Sequence, residues 1–368
     1  MITRRRLMAL TTLATAGSLA TAAIYSSSAA RKEYDEAVRS TWRHSAGNLA
    51  SARLLQRELV RYATLAPSSH NTQCWKFRLA ENSIAILPDL NRRCPVVDPD
   101  DHHLFVSLGC ATENLIQAAL AHGFGATTTL DAEVSHMRVQ LEPTETVRSP
   151  LFLAIPERQS TRAEYDGKPL ANEELHLLER AGTGNGTRVL LLTSREVMER
   201  ALEYIVQGNS AQLNDPAFVR ELKSWIRFGD AEAVHSGDGL FSRTSGNPSV
   251  PHWIGSLLFK RFLNAKTENE KYARHVRSSA GIAVFVSDAN DRKHWMESGR
   301  CFQRFALQAT ALGIRTAHLN QPVEVAALRP QFSSFLGLGN HRPDLVVRFG
   351  RGPEMPRSLR RPVDAVLI

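Results

Sequence analysis

Two short polar segments carry residue types that could bind a phosphate group or a polar ring. Residues 67–75 read Pro-Ser-Ser-His-Asn-Thr-Gln-Cys-Trp, a run of turn formers and hydrogen-bonding side chains. The second segment, residues 158–162, places Arg158 and Arg162 on either side of Ser160. Guanidinium groups bind phosphate oxygens through paired hydrogen bonds, and the N-terminus of a following helix adds backbone donors. Alone, such an arginine cluster is more often a solvated surface, so its meaning depends on the fold.

A repeated pattern predicts the elements that position these segments. Gly109–Gly123 and Gly299–Gly313 each enclose an apolar helical pattern, offset by about 190 residues, and the terminal glycines suit left-handed helix caps. A second recurrence has the same order of elements: a helix over 54–66 leads to a strand over 75–79, and a helix over 174–181 leads to a strand over 189–192. The sequence therefore predicts an α+β fold made of two diverged repeats, 36–150 and 151–368. Chance similarity between two glycine-bounded helices is the alternative.

The two predicted repeats retain different motifs. The first repeat holds the 67–75 segment, where the second has only a glycine-rich loop at 182–186. The second repeat begins with residues 158–162. The corresponding residues of the first repeat, 39–43, are only weakly similar to them. A single composite site at the interface between the repeats accounts for both observations. The fused repeats would then form an intramolecular pseudo-dimer.

Residues 1–30 are predicted to form a twin-arginine export signal. Arginines at positions 4–6 precede a weakly apolar stretch over 7–25, and Ser28 and Ala30 are small enough for signal peptidase. Proteins exported by this route fold first, often around a cofactor, so a bound cofactor is favoured. The predicted location is the periplasm. An uncleaved anchor facing the periplasm is the alternative, which the polar residues of the stretch disfavour.

Composition and the remaining motifs exclude several other functions. The net charge of +8, from 45 basic and 37 acidic residues, is a mild excess without basic runs that alternate with aromatics, so no nucleic-acid partner is predicted. The sequence has no nucleophile elbow for a hydrolase. The acidic and histidine residues over 98–103 are interpreted as a solvated turn rather than a metal site. The sequence is equally compatible with one disulfide and with buried free thiols among its four cysteines. The cysteines are Cys74, Cys94, Cys110 and Cys301.

Together, these motifs resemble those of a known family. The 67–75 segment resembles the Pro-Ser-Ser-x-Asn-x-Gln-Pro-Trp motif of FMN-dependent nitroreductases, with Cys74 in place of the usual Pro. Residues 158–162 are similar to the family's Arg-x-Ser-x-Arg/Lys motif, and Arg360-Arg361-Pro362 is similar to its C-terminal basic residues. One chain with two degenerate copies further resembles the Acg-type branch, which consists of monomeric pseudo-dimers. The resemblance covers most of residues 50–368.

The resemblance implies a nitroreductase-like fold and a set of FMN contacts. Arg158 and Ser160 would hold the phosphate, with Arg360 and Arg361 completing the clamp. Arg162 would face N1 and O2 of the ring, where a cation favours the reduced state. The whole set implied to bind the cofactor is Pro67, Ser68, Ser69, Asn71, Arg158, Ser160, Arg162, Leu319, Asn320, Gln321, Arg360 and Arg361. No side chain is predicted to act as a catalytic acid or base, and no metal is predicted.

The function implied is an oxidoreductase that transfers hydride by a ping-pong scheme. The donor would be a small molecule such as NAD(P)H, and the acceptor a nitroaromatic, a quinone or a similar planar compound. A segment without counterpart in the first repeat, residues 215–256, is predicted to form a lid over the flavin. Flavin binding or storage beneath an occluding lid, with little turnover, is the alternative function. A fused pseudo-dimer would be a monomer in solution.

Overall fold

The computed structural model describes residues 28–45, 51–131 and 136–368. The predicted export signal lies outside this part of the chain except for residues 28–30, which are helical in the structure. The signal therefore stays a prediction, as does the location that depends on it.

The described chain combines helices with short strands and confirms the predicted α+β class. The helices are α1 (28–41), α2 (Ala52–Thr64), α3 (His102–Ala121), α4 (Pro150–Ala154), α5 (Asn172–Ala181), α6 (Arg195–Asn214), α7 (Pro216–Trp225), α8 (Asp230–Ser236), α9 (His252–Phe262), α10 (Ala265–Arg277), α11 (Arg292–Ala311), α12 (Gln321–Glu324) and α13 (Arg329–Phe335). The strands are β1 (Trp75–Ala80), β2 (Ser83–Pro88), β3 (Phe124–Asp131), β4 (His136–Pro143), β5 (Thr187–Leu192), β6 (Ile226–Arg227), β7 (Leu240–Phe241), β8 (Gly281–Ser287), β9 (Arg315–His318) and β10 (Arg342–Gly350).

Two four-stranded antiparallel sheets share one strand order. The first runs β1-β2-β4-β3 and the second runs β5-β8-β10-β9, so each strand of the first sheet has a counterpart at the same place in the second. Each sheet also follows a helix, α2 or α5, as the sequence pattern predicts. This equivalence is what two diverged copies of one unit would give. The exact repeat boundaries, at 150 and 151, stay a prediction.

The long helices α3 and α11 cross at two glycines. A Cβ atom added to Gly109 would lie 1.9 Å from the carbonyl oxygen of Met296, and one added to Gly299 would lie 2.0 Å from that of Val106. The two contacts are related by the same offset of 190 residues, as a pseudo-twofold axis requires. The prediction that Gly109 and Gly299 bound the helical segments is wrong. They lie inside α3 and α11, because only glycine allows backbones to approach this closely.

A methyl group at this crossing is expected to destabilise the protein. Gly109→Ala should lower the free energy of unfolding by about 1–3 kcal/mol, because the added Cβ must push the two helices apart. The pseudo-equivalent Gly299→Ala should cost a similar amount. At an unobstructed helix position the same substitution stabilises a protein by up to about 1 kcal/mol. Urea unfolding would measure the change, and a stabilised Gly109→Ala variant would contradict the close crossing.

Two segments of the second half, one near residue 160 and one near the C-terminus, each form an isolated bridge with a strand. Near the C-terminus, Leu367 forms a parallel bridge with Phe77 of β1, so the last residues extend the first sheet. At residue 160, Ser160 forms a parallel bridge with Thr316 of β9. The Arg158–Arg162 segment is thereby fixed at the edge of the second sheet. Arg360, near the C-terminus, is brought beside the end of α2.

The segment 215–256 belongs to an insertion between β5 and β8. Most of it forms ordered elements: α7, α8, the start of α9, and the two-stranded parallel pair β6–β7. Within the predicted lid, the polar stretch between Gly229 and Gly255 contains helix α8 over 230–236. Its polar composition hid a helix that buries only Ala233. Such a helix shows little apolar periodicity in the sequence.

Candidate functional site

The 67–75 segment adopts an unusual backbone between α2 and β1. His70, Asn71 and Gln73 all have positive φ angles, of 48°, 54° and 52°. Such angles are uncommon for residues other than glycine and persist only where surrounding contacts impose them. Here the Ser68 hydroxyl accepts a hydrogen bond from the backbone N–H of Gln73, at 2.9 Å. The side chains of Asn71 and Gln73 are buried and bind backbone groups of distant segments.

A small cavity of about 60 Å³ lies between this segment and residues 158–162. Four arginines line it, and no acidic residue does. The predicted site residues in its wall are Pro67, Ser68, Asn71, Arg158, Ser160, Arg162 and Arg360, and the fourth arginine is Arg357. The structure thus brings together residues from both predicted motifs and from the C-terminal basic segment. A concentration of positive charge without acidic partners is suited to an anion with several oxygens.

Arg158 is a buried charge in this wall with unpaired donors. It is 3% exposed, and neither its Nε nor its Nη1 has a hydrogen-bond partner in the described structure. Its one hydrogen bond, from Nη2 to the carbonyl oxygen of Leu65, is long at 3.4 Å. Burial lowers the pKa of Arg158 to about 10, so the group is still charged at neutral pH. A buried guanidinium with two unpaired donors is costly unless a ligand satisfies them.

Arg360 and Arg357 approach the same cavity from the C-terminal segment. Arg360 donates to the carbonyl oxygens of Thr64, Leu65 and Ala66 at the end of α2, at 2.7 to 3.2 Å. Burial lowers the pKa of Arg360, and the charges of Arg158 and Arg357 lower it further. This mutual repulsion would be relieved by a bound anion.

Arg361 is an exception among the predicted site residues. It lines neither cavity described here. Its guanidinium donates instead to the carbonyl oxygen of Ala365 at 2.8 Å, and its backbone N–H donates to Gln73. The structure therefore does not bring the Arg361 side chain to either cavity, and its part in a phosphate clamp stays a prediction. Adjacent residues in extended chain point to opposite sides, so only one of the pair can face the cavity.

A larger cavity of about 370 Å³ shares Pro67, Ser68 and Arg162 with the small one. The other predicted site residues that line it are Ser69, Leu319, Asn320 and Gln321. Arg162 therefore stands where the two cavities meet. Among the described residues no carboxylate forms an ion pair with it, and burial lowers its pKa. The larger cavity has room for an extended planar group beside this cation.

Two histidines near Arg162 in the wall of the larger cavity, His70 and His318, have lowered pKa values. Burial lowers the pKa of His318 to about 3, and the charge of Arg162 is the next cause. Burial and Arg162 act in the same order on His70, whose pKa falls to about 4. The ring of His318 packs on Phe302, with centroids 4.7 Å apart. Arg162 is thus a positive charge whose neighbours include the neutral imidazoles of His70 and His318, and the latter packs on Phe302.

Residues 319–321 join β9 to α12 at the edge of the larger cavity. Leu319 is buried, and its N–H donates to Val346 at 2.8 Å. The Asn320 side chain accepts from the N–H of Val346, so it fixes this turn to β10. Gln321 is 7% exposed, and its Oε1 lacks a partner. These contacts fix the backbone that lines the cavity.

The insertion lines part of the larger cavity and is hydrogen-bonded to the 67–75 segment. From the 215–256 segment, side chains in the lining include Phe218, Leu222, Ile226 and Leu240. Asn71 donates to the carbonyl oxygen of Gly239 at 3.0 Å, and Gln73 donates to that of Gly237 at 2.9 Å. Asp238, between these glycines, forms ion pairs with Arg92 and Arg227. The predicted lid is therefore held at the strained turn of the first motif.

Loss of the Asp238 carboxylate charge is expected to loosen this cover. Asp238→Asn should increase hydrogen exchange over residues 226–241, because Arg92 and Arg227 would lose their shared partner. An opening free energy lowered by about 1–3 kcal/mol corresponds to roughly ten- to hundredfold faster exchange. Asp364→Asn is the matched control, since its ion pair with Arg57 lies on an exposed surface. Unchanged exchange at 226–241 in Asp238→Asn would show that other contacts hold the lid.

Three of the acidic and histidine residues over 98–103 form a buried cluster, whereas Asp100 is exposed in a turn. Asp98, His102 and His103 are each at most 5% exposed, and their potential ligand atoms lie within 4.8 Å of one another. His102 bonds to Asp344 at 2.9 Å, and Asp98 accepts from the N–H of Leu104. The interpretation as a solvated turn was wrong for the buried residues Asp98, His102 and His103, of which the two histidines begin the largely buried helix α3. Of the two options for the cysteines, the structure has buried free thiols.

Trp42 and Arg357 are among the residues that line the small cavity without having been predicted as site residues. Trp42, in the weak first-repeat echo of the Arg158–Arg162 motif, stacks beneath two arginines. The guanidinium carbons of Arg360 and Arg357 lie 4.8 and 5.3 Å from its ring centroid. Both residues could have been noticed in the sequence, because Trp42 directly follows Arg39-Ser40-Thr41 and Arg357 lies three residues before Arg360.

Comparison with known proteins gives relatives at low identity. The chain is 23% identical over 325 residues to "Putative NAD(P)H nitroreductase Rv3131" of Mycobacterium tuberculosis, which covers 84% of this chain and 90% of that protein. It is 22% identical over 334 residues to "Putative NAD(P)H nitroreductase acg" of the same organism, covering 84% and 94%. The chain is similar to nitroreductases. No family model matches it.

The solved structures that the comparison found align with little more than half of the chain. A nitroreductase with bound FMN from Bacteroides fragilis matches with a TM-score of 0.35 and 16% identity, over 56% of this chain and 89% of that one. An FMN complex of a nitroreductase from Desulfitobacterium hafniense gives a TM-score of 0.35 and 15% identity, over 58% and 96%.

Proposed function

We propose that this protein is an FMN-dependent oxidoreductase of the nitroreductase type that uses NAD(P)H. The observation that carries the proposal is the buried, unpaired guanidinium of Arg158, in a cavity with four arginines and no carboxylate. That cavity shares a wall with a larger one suited to a ring system. The relatives named as NAD(P)H nitroreductases support the same activity.

The residues of the small cavity fit a phosphate monoester. Arg158 offers two free donors, Ser160 a hydroxyl, and Arg360 and Arg357 further positive charge. Charge-assisted hydrogen bonds of this kind contribute about 1.5–3 kcal/mol each. A dianionic phosphate would satisfy the donors of Arg158 and reduce the repulsion among the arginines. We infer that the phosphate of FMN binds here.

The residues of the larger cavity would hold the ring and control its surroundings. Bound FMN supplies the hydride-accepting and hydride-donating chemistry, which side chains cannot provide. Arg162 would place a positive charge beside the polar edge of the ring, while His70 and His318 stay neutral. The backbone of 319–321 and the cover from 215–256 would exclude water from the ring. No general acid or base is assigned among these residues.

We infer that each half of the chain contributes one part of a single site. Pro67, Ser68 and Asn71 come from the first half, while the Arg158–Arg162 segment and Arg360 come from the second. Because the α3–α11 crossing already joins the halves, we propose that the protein is a monomeric pseudo-dimer. We also propose export to the periplasm by the twin-arginine route, on the basis of residues 1–30 alone.

Flavin storage is the second candidate function. The observation in its favour is the cover over the larger cavity, which is held to the 67–75 segment by hydrogen bonds from Asn71 and Gln73. A cover that stays closed would keep a nicotinamide from the ring. The two functions share the binding site and differ in whether the bound flavin is reduced by NAD(P)H.

Anaerobic addition of NADPH and of NADH to the FMN-loaded protein tests the proposal. We expect the visible flavin absorbance to bleach with at least one donor, and to return when a quinone or nitroaromatic is added. Asp238→Asn serves as the lid variant. Bleaching only in this variant would indicate storage in the native protein, and a flavin that resists both donors in both proteins would contradict the proposed activity.

A further inference from the structure

An exposed apolar surface lies on α9, outside the site described above. Of the ten large hydrophobic residues that are exposed among the described residues, four lie on this eleven-residue helix. They are Trp253, Leu257, Leu258 and Phe262, of which three are more than 60% exposed. The other six are distributed over the rest of the chain. A concentration of this kind marks an interaction surface rather than the usual scatter of single apolar residues.

The inner side of α9 already has its packing partners. Gly255 is buried against Phe228, since a Cβ there would lie 2.3 Å from the Phe228 ring. Phe259 and Leu263 line the larger cavity. The exposed residues are therefore not needed to attach the helix to the fold. Among the described residues, no segment covers them.

The charge around α9 identifies the chemistry of that partner. Residues 239–267 contain four basic residues and no acidic residue. Arg243 forms an ion pair with Asp230, whereas Lys260 and Arg261 are exposed and form no ion pair among the described residues. Lys266, also exposed, follows in the next helix. The surface thus combines large apolar side chains, including a tryptophan, with unpaired positive charge.

We propose that α9 binds to an anionic lipid bilayer, with its exposed apolar side chains in the headgroup region. A nucleic acid would engage the basic residues but leave Leu257 and Phe262 in water. An interfacial helix uses both features, because apolar residues enter the bilayer boundary while Lys and Arg bind anionic headgroups. Tryptophan is the residue type most enriched at this depth. The proposal does not depend on flavin chemistry or on residues 1–30.

Trp253 fluorescence in the full chain tests the proposal directly. The vesicles are phosphatidylcholine alone or an equal mixture with phosphatidylglycerol, each prepared with and without brominated acyl chains. With the mixed vesicles we expect a blue-shifted emission that the brominated lipid quenches. Trp253→Phe should remove most of this quenching, which assigns the signal to Trp253 rather than to the other tryptophans. Quenching that persists in Trp253→Phe would overturn the proposal.

Substitutions on α9 separate the apolar and electrostatic contributions. Lys260→Gln with Arg261→Gln should weaken binding to the mixed vesicles about 30-fold, at roughly fivefold per residue. Leu257→Ser with Phe262→Ser should weaken it at least tenfold. The matched control is Leu54→Ser with Leu153→Ser, which removes two exposed leucines elsewhere and should leave binding unchanged.

Two results would overturn the proposal in different ways. If the full chain binds vesicles but Trp253 emission is neither shifted nor quenched, another segment anchors the protein and α9 does not. If vesicles have no effect and light scattering shows a dimer that Leu257→Ser with Phe262→Ser dissociates, the apolar surface binds a second copy of the chain. Circular dichroism of each variant verifies that the fold is retained.

Discussion

Arg158→Met is expected to weaken FMN binding by at least about 100-fold. The substitution removes two donors that have no partner within the protein, and each charge-assisted hydrogen bond contributes about 1.5–3 kcal/mol. The same change should raise the melting temperature of the FMN-free protein, because an uncompensated buried charge is replaced by an apolar side chain. Fluorescence titration with FMN measures the affinity, and calorimetry of the FMN-free protein measures the stability.

Arg361→Met is the matched control for this prediction. Arg361 is the predicted clamp residue whose side chain turns to Ala365, so its loss should leave FMN affinity within about twofold. Arg360→Met, one residue earlier, should weaken FMN binding clearly. An Arg158→Met protein that binds FMN normally would contradict the phosphate assignment. Equal losses in Arg360→Met and Arg361→Met would contradict the opposite orientation of the two side chains.

Arg162→Gln is expected to slow reduction of the bound flavin by NAD(P)H about 100- to 1000-fold. Removal of one group that stabilises developing negative charge in a closed site typically has an effect of this size. The neighbouring histidines cannot substitute for it, since His70 and His318 have pKa values of about 4 and 3 and are neutral at pH 7. Stopped-flow bleaching under anaerobic conditions gives the rate, and the reduction potential of the flavin should also fall.

The conservative variant Arg162→Lys separates charge from shape at this position. A lysine keeps the positive charge but lacks the planar fork of donors, so we expect the reduction potential to be largely retained. FMN affinity should be lowered in both variants. If Arg162→Gln and Arg162→Lys have the same potential as the unchanged protein, the cation at position 162 does not face the ring.

Much of the fold could be predicted because local patterns determine it. The amphipathic pattern of α2 and the left-handed glycines at 123 and 313 are visible in sequence, and the structure confirms both. The roles of Gly109 and Gly299 could not be read in this way. Their position inside helices follows from a crossing between residues 190 positions apart, and no local pattern encodes such a contact.

The residues of the candidate site could be predicted where their types indicate ligand binding. They could not be predicted where the direction of a side chain determines whether it faces the cavity. The 67–75 and 158–162 segments could be singled out by composition, and the structure brings them to one cavity. Which of Arg360 and Arg361 faces that cavity depends on the path of the C-terminal segment. The burial of Asp98 and His102 was missed because a polar run of this kind is usually solvated. In this fold it begins the central helix α3.

The binding stoichiometry of FMN tests the composite site most directly. Because the two motifs come from opposite halves of one chain and meet at one cavity, we predict a single equivalent of FMN per chain. Titration of the FMN-free protein, followed by quenching of flavin fluorescence and by mass under native conditions, measures this number. A plateau at one equivalent, lost in Arg158→Met, is the expected result. Two equivalents, or no binding at all, would contradict the account.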